Sequence, residues 1–390
     1  MTTMYDDYGQ FIAGEWRRGS GPQSIAVCDP GNGQIIGQIT AAAESDTQDA
    51  LRSAGQGLAL WRETLAWQRA DILQAVAREM VAMAPEAALT ISRESGKPLA
   101  QAKREWELSV DQFVWYAEEA RRIYGRIIES RVPGGRLEVH HEPVGIVAAF
   151  TAWNFPVVLV ARKLAPALAA GCAVVLRPSS EVPGSAMMIF ECLRRAGLPA
   201  GVANLVIGPT SATYEPLVSS PLVKKISLTG STRLGQQMIR DSAATIKRLS
   251  MELGGNAPVI VWPDADIDKA LDLSVATKFA NSGQVCVTCD RFYVHESCYA
   301  AFVDGFAARA SRLKVGYGLE PDTQMGPLSD PARMRETVAR FESGMVGINS
   351  YALAAAEAPF GGIKASGMGR EGGSEGLLDY MNVKLAQIVV

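Results

Sequence analysis

Glu252 and Cys286 are the two side chains whose types and settings suit covalent chemistry. Glu252 leads into Leu253-Gly254-Gly255-Asn256, and Cys286 closes Asn281-Ser282-Gly283-Gln284-Val285. Each is therefore expected in a glycine-loosened loop, with a helix-like segment between the two. A thiolate attacks carbonyl carbon well, and a nearby carboxylate can later activate water against the acyl-sulfur bond. Neither task needs a histidine. Cys286 and Cys289 also form a C-x-x-C. The only histidines are His140, His141 and His295, and no second cysteine pair completes a zinc set, so no metal site is expected.

The elements that must hold these groups follow from periodicity. Residues 10–18 alternate around a glycine and predict a hairpin, and helical spacing then runs from Glu44 to Gly125 with a break at Ser95-Gly96-Lys97-Pro98. Residues 137–141 read as a strand. Between Gly145 and Thr232 short apolar runs alternate with helices. Strands are expected near 145–150, 173–176, 202–207 and 225–228, with helices at 157–170 and 183–195. That alternation predicts an α/β fold with a doubly wound parallel sheet of the dinucleotide-binding type. Strand character returns over 286–294, a helix is expected over 299–313, and the apolar run 384–390 reads as a terminal edge strand suited to pairing with another subunit.

Composition narrows the class. A chain of 390 residues has room for two or more cores, and a net charge of −3 leaves no basic footprint for nucleic acid. Arg121-Arg122 and Lys224-Lys225 read as solvated faces. The six cysteines are scattered, which suits a reducing, cytoplasmic setting. No signal peptide is visible. The uncharged run 143–161 contains Asn154 and Pro156 and ends at Arg162-Lys163, which fits a buried strand and turn better than a membrane span.

Over nearly its whole length the chain resembles the aldehyde dehydrogenase superfamily, in the succinate-semialdehyde-like, non-phosphorylating branch. The markers include Thr151-Ala152-Trp153-Asn154-Phe155-Pro156, Gly197-Leu198-Pro199-Ala200-Gly201, Leu228-Thr229-Gly230-Ser231-Thr232, Glu252-Leu253-Gly254-Gly255, Gly283-Gln284-Val285-Cys286 and Ala358-Pro359-Phe360-Gly361-Gly362. Chance agreement at all of these in order is negligible. The resemblance implies a dinucleotide-binding domain from 1–123 and 143–253, a second α/β catalytic domain from 254–377, and a small β oligomerisation arm from 124–142 and 378–390. A homodimer or homotetramer is implied with it.

By the same resemblance Cys286 is the nucleophile, forming a thiohemiacetal and then a thioester. Asn154 and the N–H of Cys286 serve the oxyanion, and Glu252 is the base for hydrolytic water. NAD or NADP is the implied cofactor. Gly230, Ser231 and Gly235 open a helix toward the pyrophosphate, and Trp153 belongs to the same cleft. Arg177 stands where the family carries a lysine for the adenosine ribose. Ser180 replaces a glutamate common in NAD-preferring members, which leaves NADP open.

Arg162 matches an arginine that binds the substrate carboxylate in succinate-semialdehyde dehydrogenases. Two other carboxylate positions depart from that subgroup, Ala280 replacing an arginine and Ala354 a serine, so a semialdehyde with another tail fits as well. After Gly326-Pro327-Leu328 several tens of residues present in the family are almost absent here, and the catalytic domain is shortened near 339–340. The missing interval holds the Glu-x-Phe-Gly-Pro motif for the nicotinamide ribose and part of a sheet. Two readings are open: a true deletion, which would loosen the nicotinamide, or a segment belonging to the protein but absent from this sequence. The difficulty of losing buried strands without unfolding favours the second.

Rival chemistries are an esterase or thioesterase retaining Cys286, Asn154 and Glu252, a non-catalytic subunit, and an acyl-CoA-forming dehydrogenase. Gly372-Gly373-Ser374-Glu375-Gly376 matches a nucleophile elbow, but neither a preceding buried strand nor a following histidine supports it. It and the neighbouring Gly367-Met368-Gly369-Arg370-Glu371-Gly372 read together as one flexible glycine loop.

Overall fold

The computed structural model describes residues 4–329, 355–362 and 364–389. Residues 335–342, on either side of the shortened interval, and Ala354 lie outside the described residues. The expected hairpin forms from Gln10–Ile12 and Glu15–Arg17, turned by Ala13 and Gly14 at positive φ. The long helical stretch is three helices, Glu44–Trp61, Ala66–Ser95 and Leu99–Ala120. Gly96 ends the second in the left-handed region and Pro98 caps the third, which accounts for the foreseen break. The break near residue 62 carries no glycine or proline and was not legible.

An eight-stranded sheet organises the described chain. Its parallel core is Ala203–Leu205, Ala173–Arg177, Ile146–Phe150, Val223–Thr229 and Arg248–Glu252, side by side in that order. In chain order this is the doubly wound arrangement 3-2-1-4-5. The core strands have no solvated face, because alternate residues enter two different cores. Val147, Ala149, Val174 and Leu176 join the cluster beneath the long helices. Ile146, Ala148, Phe150, Ala173 and Val175 join the opposite cluster, with Leu51, Leu217 and Met238. Continuous apolar runs are the sequence form of such two-sided burial.

Cys289–Val294 is the later strand, and the helix expected over 299–313 spans Glu296–Ala310. The Cys289–Val294 strand pairs in parallel with Ala257–Val261 as a two-stranded sheet. Its described core is small, with Val261, Leu271, Cys298 and Phe302 buried. Ile260 and Trp262 are 69% and 61% exposed. Amide hydrogen exchange should therefore run faster in Ala257–Val261 and Cys289–Val294 than in Ile146–Phe150 and Ala173–Arg177. Equal protection in the two sheets would refute this ranking. The terminal strand, Met381–Val389, pairs antiparallel with Gly135–Pro143, which in turn pairs with Arg126–Glu129.

The sequence reading needs three corrections here. Glu252 is the last residue of a core strand, not a loop residue, because Met251 beside it packs fully buried. Lys225 is no solvated charge. It is buried in the Val223–Thr229 strand, donating to Ser250 and standing 3.8 Å from Asp379. The supposed glycine loop is structured: Gly367–Met368 pairs with Met251 and Glu252, and Gly373–Leu378 is helical. Ser374 donates to Glu119 at 3.2 Å, an arrangement with no resemblance to a nucleophile elbow.

Candidate active site

Strand order reverses between Ile146–Phe150 and Val223–Thr229, and the crevice beyond their carboxyl ends is where a doubly wound sheet binds ligands. A cavity of about 840 Å³ occupies it. Trp153, Asn154, Arg177, Gly230, Ser231, Glu252 and Cys286 all line this cavity. Residues far apart in the chain thus meet in one cleft, with the thiol and the carboxylate on its wall.

One side of the cleft is shaped for a polar, phosphate-bearing ligand. Ser231 caps the Thr232–Ser242 helix, its hydroxyl accepting from the Leu234 N–H at 3.2 Å, so the helix start faces the cavity. Thr151 and Thr229 bring hydroxyl oxygens that are buried and lack a hydrogen-bond partner among the described residues. Such orphaned groups fit the ribose and phosphate oxygens of a dinucleotide. Arg177 lies along the same wall, its Nε 3.5 Å from Thr213 Oγ1, and burial holds its pKa below the usual arginine value. Two expected cofactor residues are positioned differently. Ser179 lines the cavity and Ser180 does not, while Gly235 packs against Leu253, where a Cβ would come within 2.7 Å of the leucine.

Glu252 and Cys286 are held by short main-chain links. Gly230 N–H donates to the Glu252 carbonyl at 2.9 Å, and Leu253 N–H to Ser366 at 2.8 Å. Gly255 lies against the loop that carries Cys286, since a Cβ there would stand 2.7 Å from the Cys286 carbonyl oxygen. Any larger residue would push the two loops apart. Asn281 and Ser282 adopt left-handed backbone, turning the chain from the Ile267–Phe279 helix toward Cys286. Asn154 Nδ2 donates to the Gln284 carbonyl at 2.9 Å, and Asn281 Nδ2 donates to the Asn154 carbonyl at 2.9 Å.

Charge in this region is buried. Burial first, then the Glu371 carboxylate, raises Glu252 to about 9, and its Oε1 has no hydrogen-bond partner among the described residues. The Cys286 thiol is raised to about 11, chiefly by burial, against a downward pull from Arg162. Thiolate is the reactive form, so iodoacetamide should alkylate Cys286 about tenfold faster per pH unit from pH 7 to 10. A rate that levels off below pH 8 would contradict this environment. Arg162 is only 2% exposed, its guanidinium lying 4.1 Å from the centre of the Phe360 ring. Burial lowers its pKa, while Glu371, Cys286 and Glu252 pull it back up. It is therefore a buried cation beside Cys286 and Glu252 and no helix-surface residue, although it does not line the crevice cavity itself.

Sequence reasoning missed the polar groups behind this site. Lys163 and Glu371 form a fully buried ion pair, and Ser227 Oγ donates to Glu371 at 3.3 Å. A faint signal existed: Lys163 interrupts a helix that is otherwise apolar apart from Arg162. Glu371 gave none, being one of three charges, with Arg370 and Glu375, in a glycine-rich stretch.

Such a sheet, with a thiol and a buried carboxylate at the inner wall of its switch-point crevice, defines a dinucleotide-dependent oxidoreductase class. The sequence profile of the aldehyde dehydrogenase family matches residues 16–337 and 329–386. The chain belongs to that family, and it is an enzyme that oxidises aldehydes. It is 35% identical to a glutarate-semialdehyde dehydrogenase of Pseudomonas putida, over 97% of both chains. It is 41% identical to a 4-(hydroxymethyl)benzenesulfonate dehydrogenase of Comamonas testosteroni, over 87% of this chain and 71% of the other. A crystal structure of an Escherichia coli NADP-dependent enzyme superposes with a TM-score of 0.94 at 35% identity, covering 98% of both chains. The Pseudomonas alignment spans 467 positions against the 390 residues of this chain, so that relative has an internal stretch without counterpart here. Among the described residues no helix is long and apolar enough to cross a membrane.

Proposed function

We propose that the chain oxidises a semialdehyde, or a similar aldehyde with an anionic tail, to the corresponding acid, and that it uses NAD or NADP. The observation that carries this reading is Arg162, a buried guanidinium beside Cys286 and Glu252. Its guanidinium lies among the groups that would meet the aldehyde, and a guanidinium matches a planar carboxylate in shape and charge. The named substrates of the two enzymes compared above, a carboxylate and a sulfonate, agree with an acidic tail.

In this reading Cys286 attacks the aldehyde carbon, and Asn154 Nδ2 with the Cys286 N–H stabilises the oxyanion of the thiohemiacetal. A bound nicotinamide cofactor supplies the hydride acceptor. Trp153, Arg177, Gly230 and Ser231 would hold that cofactor, with Ser179 on the wall where Ser180 was expected. Glu252 then activates water against the Cys286 thioester and releases the acid. Residues 1–123 and 143–253 form the cofactor domain, and 254–377 the catalytic domain. The arm of 124–142 and 378–390 joins subunits. Its terminal strand supports this, since Met381–Val389 ends its sheet with Val383 70% exposed. Six free cysteines suit a cytoplasmic enzyme.

Arg162→Ala is the test, read as nicotinamide reduction by succinate or glutarate semialdehyde and by uncharged aldehydes of equal length. The semialdehyde KM should rise about 30-fold, the size expected for one charge-assisted contact, while the uncharged aldehydes change little. An unchanged semialdehyde KM would refute the carboxylate role. Equal losses on both substrates would make Arg162 a structural residue.

A further inference from the structure

We infer that Lys97 and Glu105 form a positioning pair for the Asn154 amide, an assignment that rests on Asn154 being the oxyanion donor. The two make an ion pair with side chains 1% and 2% exposed, remote in sequence from every reacting group. Lys97 Nζ donates to the Asn154 carbonyl at 2.9 Å and stands 4.2 Å from the centre of the Phe155 ring. Glu105 accepts Lys97 through Oε2. Its Oε1 takes the N–H groups of Val157 at 2.9 Å and Val158 at 3.3 Å. One ion pair therefore grips the Asn154-Phe155-Pro156 turn on both sides, at the carbonyl entering it and at the amides leaving it.

The Leu99–Ala120 helix that carries Glu105 also reaches the Cys286 loop. Gln101 accepts the Asn281 N–H at 2.8 Å, and Asn281 Nδ2 shares the Asn154 carbonyl with Lys97. A buried ion pair is a poor stability device, because desolvation offsets most of its attraction. What it supplies is one fixed geometry for the groups it bonds. Here that geometry sets the Asn154 side chain, whose Nδ2 already spans to Gln284 at 2.9 Å, relative to Cys286. Oxyanion stabilisation depends steeply on such preorganisation.

The test is a double-mutant cycle on the full chain, read as the rate of the p-nitrophenolate burst from p-nitrophenyl acetate. In that burst Cys286 attacks the ester carbonyl, p-nitrophenolate leaves, and no hydride moves. Asn154→Ala should slow the burst about 100-fold and Lys97→Met about 10-fold. Combining them should be no slower than Asn154→Ala alone, because Lys97 acts only through that amide. Thermal stability is measured alongside, and Glu105→Gln, which keeps an acceptor for Val157 and Val158, repeats the cycle should Lys97→Met fail to fold. Losses that multiply, or an undiminished burst in both Lys97→Met and Glu105→Gln, would overturn the assignment, and so would a wild type with no burst. A wild type that shows the burst but never reduces NAD or NADP defeats the dehydrogenase reading alone and leaves this cycle decisive.

Discussion

Cys286→Ser is expected to slow acyl-enzyme formation by about 10⁴-fold or more while leaving the fold intact. A serine hydroxyl is useful only beside a base that can take its proton. No histidine serves here: His140 and His141 lie in the Gly135–Pro143 strand, His140 beside Glu138, and His295 caps the Glu296–Ala310 helix. Glu252 is mostly protonated near neutrality, because its pKa is raised to about 9. Thiol chemistry escapes this limit, since even a thiol raised to about 11 exposes some thiolate and sulfur is intrinsically nucleophilic. Burst kinetics together with the intact mass after aldehyde or ester addition will measure the effect. A serine variant retaining a tenth of the wild-type burst would remove Cys286 from the nucleophile role.

Glu252→Gln should separate the two halves of the reaction. Acylation should stay within about threefold of wild type, whereas deacylation should fall by about 10³-fold, so that the acyl-enzyme accumulates. The pH dependence carries a definite sign. Burial and Glu371 hold Glu252 protonated to about pH 9, and only the ionised carboxylate accepts a proton from water. Wild-type deacylation should therefore climb with pH through the range 7 to 9, and the glutamine variant should lose that climb. Normal turnover by Glu252→Gln would exclude it as the base. A deacylation rate flat between pH 6 and 9 would mean that the carboxylate is ionised throughout and that Glu371 does not hold its proton.

Much of the parallel sheet was legible because its strands are buried on both faces. Ile146 to Phe150 and Ala173 to Leu176 are uninterrupted apolar runs, and no other local structure of that length explains them. Cys286, Glu252 and Asn154 were singled out through motifs that resemble those of the family, and the fold brings all three to one cavity wall. The helix Thr210–Ser219 was not legible, since Pro216 inside it and weak amphipathicity hide it. The surroundings of Gly235 were not legible either, because the group that a side chain there would meet, Leu253, is brought against it only by folding.

By itself the sequence determined which backbone runs become buried strands, where the chain must turn, and which side chains are chemically able to form and cleave a thioester. Those properties reside in residue type and local spacing. Only the tertiary structure decided which charges are buried and with whom. Lys225 beside Lys224 and Lys97 before Pro98 look locally like ordinary solvated cations, and Lys163 beside Arg162 signals its burial only faintly, yet all three are enclosed. Each is tolerated inside because packing brings it an oxygen partner from elsewhere: Ser250 for Lys225, Glu371 for Lys163, and Glu105 with the Asn154 carbonyl for Lys97. The penalty for burying a charge is large and is offset only by partners at contact distance, so the position of those partners is a property of the folded chain alone.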